Sequence, residues 1–368
     1  MMTFRNFVTK FLIIVFITCS LCFKENFSYE IKLVNVVFRH GDRTPEFIYP
    51  NFIDVDQNYY PEGLAGLTNK GKLRAHQFGE LLRLMYNDFL GTTYIPEEIY
   101  TRSTDFLRTR MTLQLVLAGL YPPNSLQKWN SHLNWQPIVT DYVPQEQDIL
   151  LNRVYICKSV EEEHNRILNH PNVIKRIKSY KNLTKELTSL SGINITTPRD
   201  IFTLYCDLLS LKHLEHDLPS WIDKYLQNKQ FLEAGLKRLE FVNYNKIIQR
   251  LNSGPLVRKI IEDMKVTISG TMEKRQKIFL YSSHDINVYS LLAALNVVVP
   301  HVPEFTSAVI IELLHMDKKY FVKILHYLGE PSEVQELTIP NCTSPCLFEK
   351  FLELTKNIIP SDEEINCM

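Results

Sequence analysis

The apolar run Ile31-Lys-Leu-Val-Asn-Val-Val-Phe38 passes directly into Arg39-His40-Gly41-Asp42-Arg43-Thr44-Pro45. The run reads as a buried β-strand, and the residues behind it as a turn that presents a histidine between two arginines. As scaffolding this is a poor choice, because two permanent cations repel a protonated ring. For chemistry at phosphorus it is a good one. Guanidiniums clamp anionic oxygens with forked hydrogen bonds while a neutral imidazole supplies the nucleophile.

The chain has 368 residues, 45% hydrophobic and 22% charged, which is ordinary for a globular protein and enough for one large domain or two interlocked ones. Lys+Arg and Asp+Glu are equal at 41 each, so nothing marks a polyanion-binding surface. Nucleic acid is not expected as a partner, and any phosphate recognition must be local. Arg5 and Lys10 precede the apolar stretch Phe11 to Phe23, which is too short for a membrane span. Ser20 and Cys22 offer cleavage positions, so residues 1–23 read as a secretory signal peptide and the mature chain as one without a span. Removing it leaves Cys157, Cys206, Cys342, Cys346 and Cys367, an odd set in an oxidising compartment, so at least one thiol is free or intermolecular. Sequons at Asn26, Asn182, Asn194 and Asn341 fit a glycoprotein that is secreted, with the lysosomal lumen as the alternative.

Along the chain, Thr68 caps a helix to about Leu90 whose apolar positions recur at helical spacing, and Gly91 stops it. A short strand comes next, near Glu98 to Thr101. Arg102 stands at its end, and Ser103 or Thr104 caps a helix that Pro122-Pro123 terminates. Residues 124–274 have helical texture and read as a mostly helical cap. Strand character returns at Lys277 to Tyr281, followed by the turn Ser282-Ser-His-Asp285 and a helix over Val288 to Leu295. Val309 to Leu314 and Tyr320 to Tyr327 pair as late strands. The expected fold is α/β, a three-layer core with a mainly parallel sheet flanked by helices, interrupted by the cap. The core occupies residues 24–123 and 275–368.

Three strand ends therefore carry groups suited to phosphate: Arg39, His40 and Arg43; Arg102; and His284 with Asp285. Ligands in such sheets bind beyond the carboxyl ends of the strands. The first segment resembles the R-H-G-x-R-x-P signature of the histidine acid phosphatase family. Tyr100-Thr-Arg-Ser-Thr-Asp105 resembles its second signature segment, and Tyr281-Ser-Ser-His-Asp285 its distal His-Asp. The tail from Asn341 to Met368 is similar to that of prostatic and lysosomal acid phosphatases. Asn87 to Leu90 and Leu115 to Pro123 are closest in texture to insect venom acid phosphatases.

The resemblance implies phosphate monoesters as substrates, a phosphohistidine on His40, and Arg39, Arg43, Arg102 and His284 as phosphate ligands. It gives Asp285 the role of acid and then base, and implies no cofactor and no metal. A bell-shaped rate profile centred at roughly pH 4–6 is expected. The resemblance also implies the disulfides Cys157–Cys367 and Cys342–Cys346, with the usual partner of Cys206 replaced at about Ala308. Many relatives carry an acid where this chain has Leu107, a change expected to loosen the support of Arg102. A homodimer is suggested by analogy alone.

Other features read more plainly. His213-Leu-Glu-His216 has metal-ligand spacing but no third ligand, and Asp54-Val-Asp56 reads as a polar loop. Alternative functions are a specialised inositol phosphate or lysophospholipid phosphatase, or a secreted binding or venom component with incidental activity.

Overall fold

Strand β1 (Glu30–Arg39) lies inside the sheet because both of its faces are apolar. Val34, Val36 and Phe38 alternate with Leu33 and Val37, and all five are fully buried, on opposite sides of the sheet. The computed structural model describes residues 29–52, 59, 61–214, 218–271 and 276–367. The expected signal segment 1–23, Asn26, Asp54 to Asp56 and His216 lie outside them.

The strands run in the order β3-β2-β4-β1-β5-β6-β7, with β8 paired to β6. Strands β2 (Ile99–Thr104), β3 (Asp141–Val143) and β4 (Ile278–Ser283) join β1 in parallel. The late strands β5 (Ala308–Met316), β6 (Lys319–Tyr327), β7 (Val334–Leu337) and β8 (Cys346–Leu347) are antiparallel. The three-layer α/β core is thus parallel where it carries the strand ends of interest and antiparallel beyond them.

Helices α1 (Asn69–Leu90) and α2 (Leu107–Leu120) cover one face through Phe78, Leu82, Leu113 and Val116. Thr68 caps α1 by accepting from the Gly71 amide, as its sequence position implied. The segment between α2 and β4 holds α3 (Arg153–Ile156), α4 (Lys158–Leu168), α5 (Pro171–Lys178), α6 (Lys181–Ser191), α7 (Pro198–His213), α8 (Ser220–Leu226), α9 (Lys229–Phe241), α10 (Lys246–Asn252) and α11 (Gly254–Ser269). Its ends are built into the core. Strand β3 extends the main sheet, and α11 packs Leu256, Ile260 and Met264 on the second face. Beside it on that face lie α12 (Asp285–Ala294) and, through Phe351, α13 (Phe348–Thr355). Helices α6 to α9 have a core of their own around Leu187, Leu204, Leu208 and Phe231. Phe202 and Leu239 pack against Ile286 and Tyr289 of α12, which seats the cap over the strand ends.

The structure pairs Cys157 with Cys367 and Cys342 with Cys346, and Cys206 is a free, buried thiol. Asn182, Asn194 and Asn341 are all exposed. Among the described residues no helix is long and apolar enough to cross a membrane.

Candidate active site

Register decides which side chains meet at the strand ends. In the parallel pairing Arg39 lies beside Ser283, and Ser103 beside Ser282, so the residues immediately behind β1, β2 and β4 emerge together. A cleft of about 360 Å³ opens there. Its core side is lined by His40, Arg43, Arg108, His284 and Asp285, and its cap side by Tyr155, Arg199, Phe202 and Arg238.

His40 is 2% exposed, and its hydrogen bonds settle which nitrogen carries the proton. Nδ1 lies 2.8 Å from the Gly41 carbonyl, which can only accept, so Nδ1 holds the hydrogen. Nε2 lies 3.1 Å from Nε of Arg108, which can only donate, so Nε2 keeps its lone pair. Burial pushes the His40 pKa well below 6.5, and the charges of Arg108 and Arg39 and the His284 ring push the same way. The ring is a neutral base among cations.

Each cation is held from behind. Arg39 pairs with Asp285 at 3.0 Å, donates to the Pro303 carbonyl at 2.7 Å and lies over the Phe305 ring. Arg43 donates to the fully buried Asp207 at 2.7 Å. Asp207, on α7, also accepts from Tyr49 Oη and the Glu46 and Phe47 amides. Arg108 donates to Glu46 at 3.2 Å, and burial first, then Arg43, brings its pKa down to about 10, still fully charged in acid. His284 sits edge-on to His40, with centroids 5.5 Å apart and Nε2 3.0 Å from the Thr104 hydroxyl. Burial and the same arginines hold its pKa well below 6.5.

Arg102, expected to bind phosphate, has a different task. Strand β2 runs on to Thr104, so Arg102 lies within the strand rather than at its end, and Phe106, not Ser103 or Thr104, precedes the next helix. The Arg102 side chain donates to Asp148 at 2.5 Å and does not line the cleft. Arg108, in the first turn of α2, reaches His40 instead. Leu107 is 76% exposed at the start of that helix, and the support of Arg102 comes from Asp148, so the acid missing at 107 does not bear on it.

Sequence reasoning also passed over Glu46, Asp148 and Asp207, which pair with the distant Arg108, Arg102 and Arg43, although Glu46 also lies 3.6 Å from the nearby Arg43. His213, noted for metal-ligand spacing, instead places Nδ1 2.7 Å from Asp42, which Arg74 also holds at 2.9 Å. Among the described residues no group of three His, Cys, Asp or Glu side chains is placed to hold a metal ion.

A family model for the histidine phosphatase superfamily (branch 2) matches residues 30–327. The chain belongs to that superfamily. It is 40% identical over 342 residues to the venom acid phosphatase of Apis mellifera, covering 92% of this chain and 88% of the relative. It is 34% identical over 353 residues to the prostatic acid phosphatase of Mus musculus, covering 95% and 92%. It is 30% identical over 345 residues to the lysosomal acid phosphatase of Homo sapiens, covering 92% and 80%. Relatives across most of its length are named acid phosphatases, and this histidine phosphatase is an enzyme of that class. In fold it is similar to the phytase of Citrobacter braakii, with a TM-score of 0.69 at 17% identity over 91% of this chain and 99% of that one.

Proposed function

We propose that the chain is a secreted acid phosphatase that hydrolyses phosphate monoesters through a phosphohistidine at Nε2 of His40. One observation carries this reading: an unprotonated Nε2 faces the cleft while its ring is flanked by cations and locked by the Gly41 carbonyl. The Nε2 lone pair attacks phosphorus, a P–N bond forms and the ester P–O bond breaks. Arg43, Arg108 and His284 bind the non-bridging oxygens, and Arg39, whose charge already acts on His40, adds to the positive field. Asp285, at the cleft wall, gives its proton to the leaving oxygen. It then takes one from the water that breaks the P–N bond. Arg108 here takes the part that sequence reasoning gave to Arg102.

Secretion is supported by the N-terminal signal, the exposed Asn182, Asn194 and Asn341 sequons, and two disulfides.

The test is to quench turnover of a ³²P-labelled aryl phosphate and map the label. Label on His40, lost in His40→Ala together with activity and unaffected by chelator, is the expected result. Label on another residue, or none with turnover intact, would overturn it.

A further inference from the structure

Arg238, on α9, lines the cap side of the cleft and is 9% exposed. An arginine buried to that degree is nearly always paired, because removing its charge from water is costly. Among the described residues Arg238 has no carboxylate or hydrogen-bond partner; its contact is with the Tyr155 ring, 5.9 Å away. Arg199, at the exposed rim of the same cleft, approaches that ring at 5.7 Å and likewise has no carboxylate among the described residues.

The acids nearby on the same helices are committed elsewhere. Glu240 binds Lys237 at 2.6 Å, Glu233 binds Arg176, and Asp200 caps α7 through the Thr196 and Thr197 amides. His164 adds no charge, because burial and then Arg238 bring its pKa down to about 4 and leave the ring neutral. On the core side, by contrast, each arginine beside His40 has a carboxylate partner. The uncompensated charge of the cleft is at its cap end.

We infer that Arg238 and Arg199 form a second anion subsite, so that the enzyme selects phosphate monoesters whose leaving group carries its own phosphate or carboxylate. The Tyr155 ring lies against both guanidiniums and offers a surface for the connecting part of the substrate. The inference rests on the reading of the His40 end as the phosphate-transfer site, since that end fixes the first anion.

Binding of non-hydrolysable probes tests it without requiring turnover. A homologous series of α,ω-alkanediphosphonates and one of ω-carboxyalkylphosphonates are compared by calorimetry with alkylmonophosphonates of equal length. At the chain length that spans the cleft, a charge-assisted contact predicts about tenfold or more tighter binding of the two-ended probes. The two series tell a second phosphate from a carboxylate. In R199Q/R238Q that ratio falls toward one, and R238K retains most of it. If the variant is loosely folded, both probe types weaken together, and R199Q alone must then lower the ratio. An equal ratio in wild type and variants, or no preference at any length, overturns the subsite. Wild-type protein that binds the probes with that preference but hydrolyses no phosphate ester would instead overturn the catalytic reading and leave the subsite standing.

Discussion

Nε of Arg108 meets Nε2 of His40 at 3.1 Å, so a guanidinium sits at the lone-pair edge of the imidazole, where the proposed attack on phosphorus starts. Under the proposed mechanism an entering phosphate oxygen takes the place of His40 as the partner of Arg108. Removal of Arg108 is therefore expected to be a catalytic lesion. Arg108→Ala should lower kcat about a hundredfold or more while the thermal midpoint changes little. Arg102→Ala should do the reverse. It strands the buried Asp148 carboxylate, costing about 3 kcal/mol of stability. Steady-state kinetics and thermal melts on the two variants check the exchange of roles; a large kcat loss confined to Arg102→Ala would return the phosphate to Arg102.

Acid stability depends on the two cleft histidines together with His164 and His326, whose pKa values burial brings down to about 4. Both cleft rings have folded pKa values well below 6.5, so below that pH the unfolded chain binds a proton on each ring that the native state does not. Their contribution to stability is complete above about pH 6.5 and declines as pH falls toward the folded values, at about 1.4 kcal/mol per pH unit for each ring. Urea titrations between about pH 7 and pH 5 should show this slope. His40→Asn and His284→Asn should each flatten it by about one proton. The same depression keeps His40 unprotonated in mild acid, as the proposed attack requires. A slope indifferent to both substitutions would mean that the rings are charged in the fold.

Much of this site is legible in the chain because it is local. The apolar run of β1 dictates a buried strand, and the residues at and just behind its end must emerge at the carboxyl ends of the parallel strands, which places Arg39, His40 and Arg43 without further information. Thr68 is equally local, since its hydroxyl reaches an amide three residues on. The exchange of Arg102 for Arg108 turned on where β2 stops, and a difference of two residues decides whether a side chain lies within a strand or beyond it. The motif Phe106-Leu-Arg-Thr-Arg110 held the clue, because a first helical turn behind a strand end faces the ligand side. Asp207 could not have been found this way. It is separated from Arg43 by 164 residues and becomes a partner only when α7 closes over the signature loop. Strand β3 is three residues long with two of them exposed, so it lacks the apolar run that marks β1 and β4.

Gly41 and Gly71 place the signature loop directly on the first turn of α1. A Cβ on Gly71 would lie 2.2 Å from the Asp42 carbonyl oxygen, and one on Gly41 would lie 2.4 Å from the Gly71 carbonyl oxygen. Neither neighbour is a flexible side chain, so relief requires moving the loop that carries His40. Gly71→Ala should cost about 3 kcal/mol and lower kcat as well, because overpacking against backbone shifts the catalytic ring. Denaturant unfolding with kinetics on the same preparation checks it. A stable variant with normal kcat would show that loop and helix are not rigidly joined.

The two disulfides should differ in value. Cys157–Cys367 closes 210 residues and Cys342–Cys346 closes four, so loop entropy gives about 5 kcal/mol for the first and about 2 for the second. Matched double-serine variants, melted side by side, are expected to lose stability in that order. The long bridge ties the α3–α4 junction to the end of the described chain. Its loss should also raise proteolytic cleavage behind α14 (Asp362–Ile365), whereas loss of the short one should not. Equal losses would mean that the unfolded chain is already constrained near these cysteines.

Asp285 begins α12, places Oδ2 3.0 Å from Arg39 and keeps its side chain 16% exposed at the cleft wall. An acid in that position matters in proportion to how much help the leaving oxygen needs. A nitrophenolate departs unaided, whereas an alkoxide must be protonated as the P–O bond breaks. Asp285→Asn preserves size and the partnership with Arg39 while removing the transferable proton. It should lower kcat/KM, which reads the step that breaks the P–O bond, by about a hundredfold or more for an alkyl phosphate and far less for 4-nitrophenyl phosphate. Plotting log(kcat/KM) against leaving-group pKa for wild type and variant reads this as a steeper negative slope in the variant. Parallel lines, with every substrate slowed by the same factor, would instead make Asp285 a positioning residue for Arg39, and the source of the proton would then lie elsewhere in the cleft.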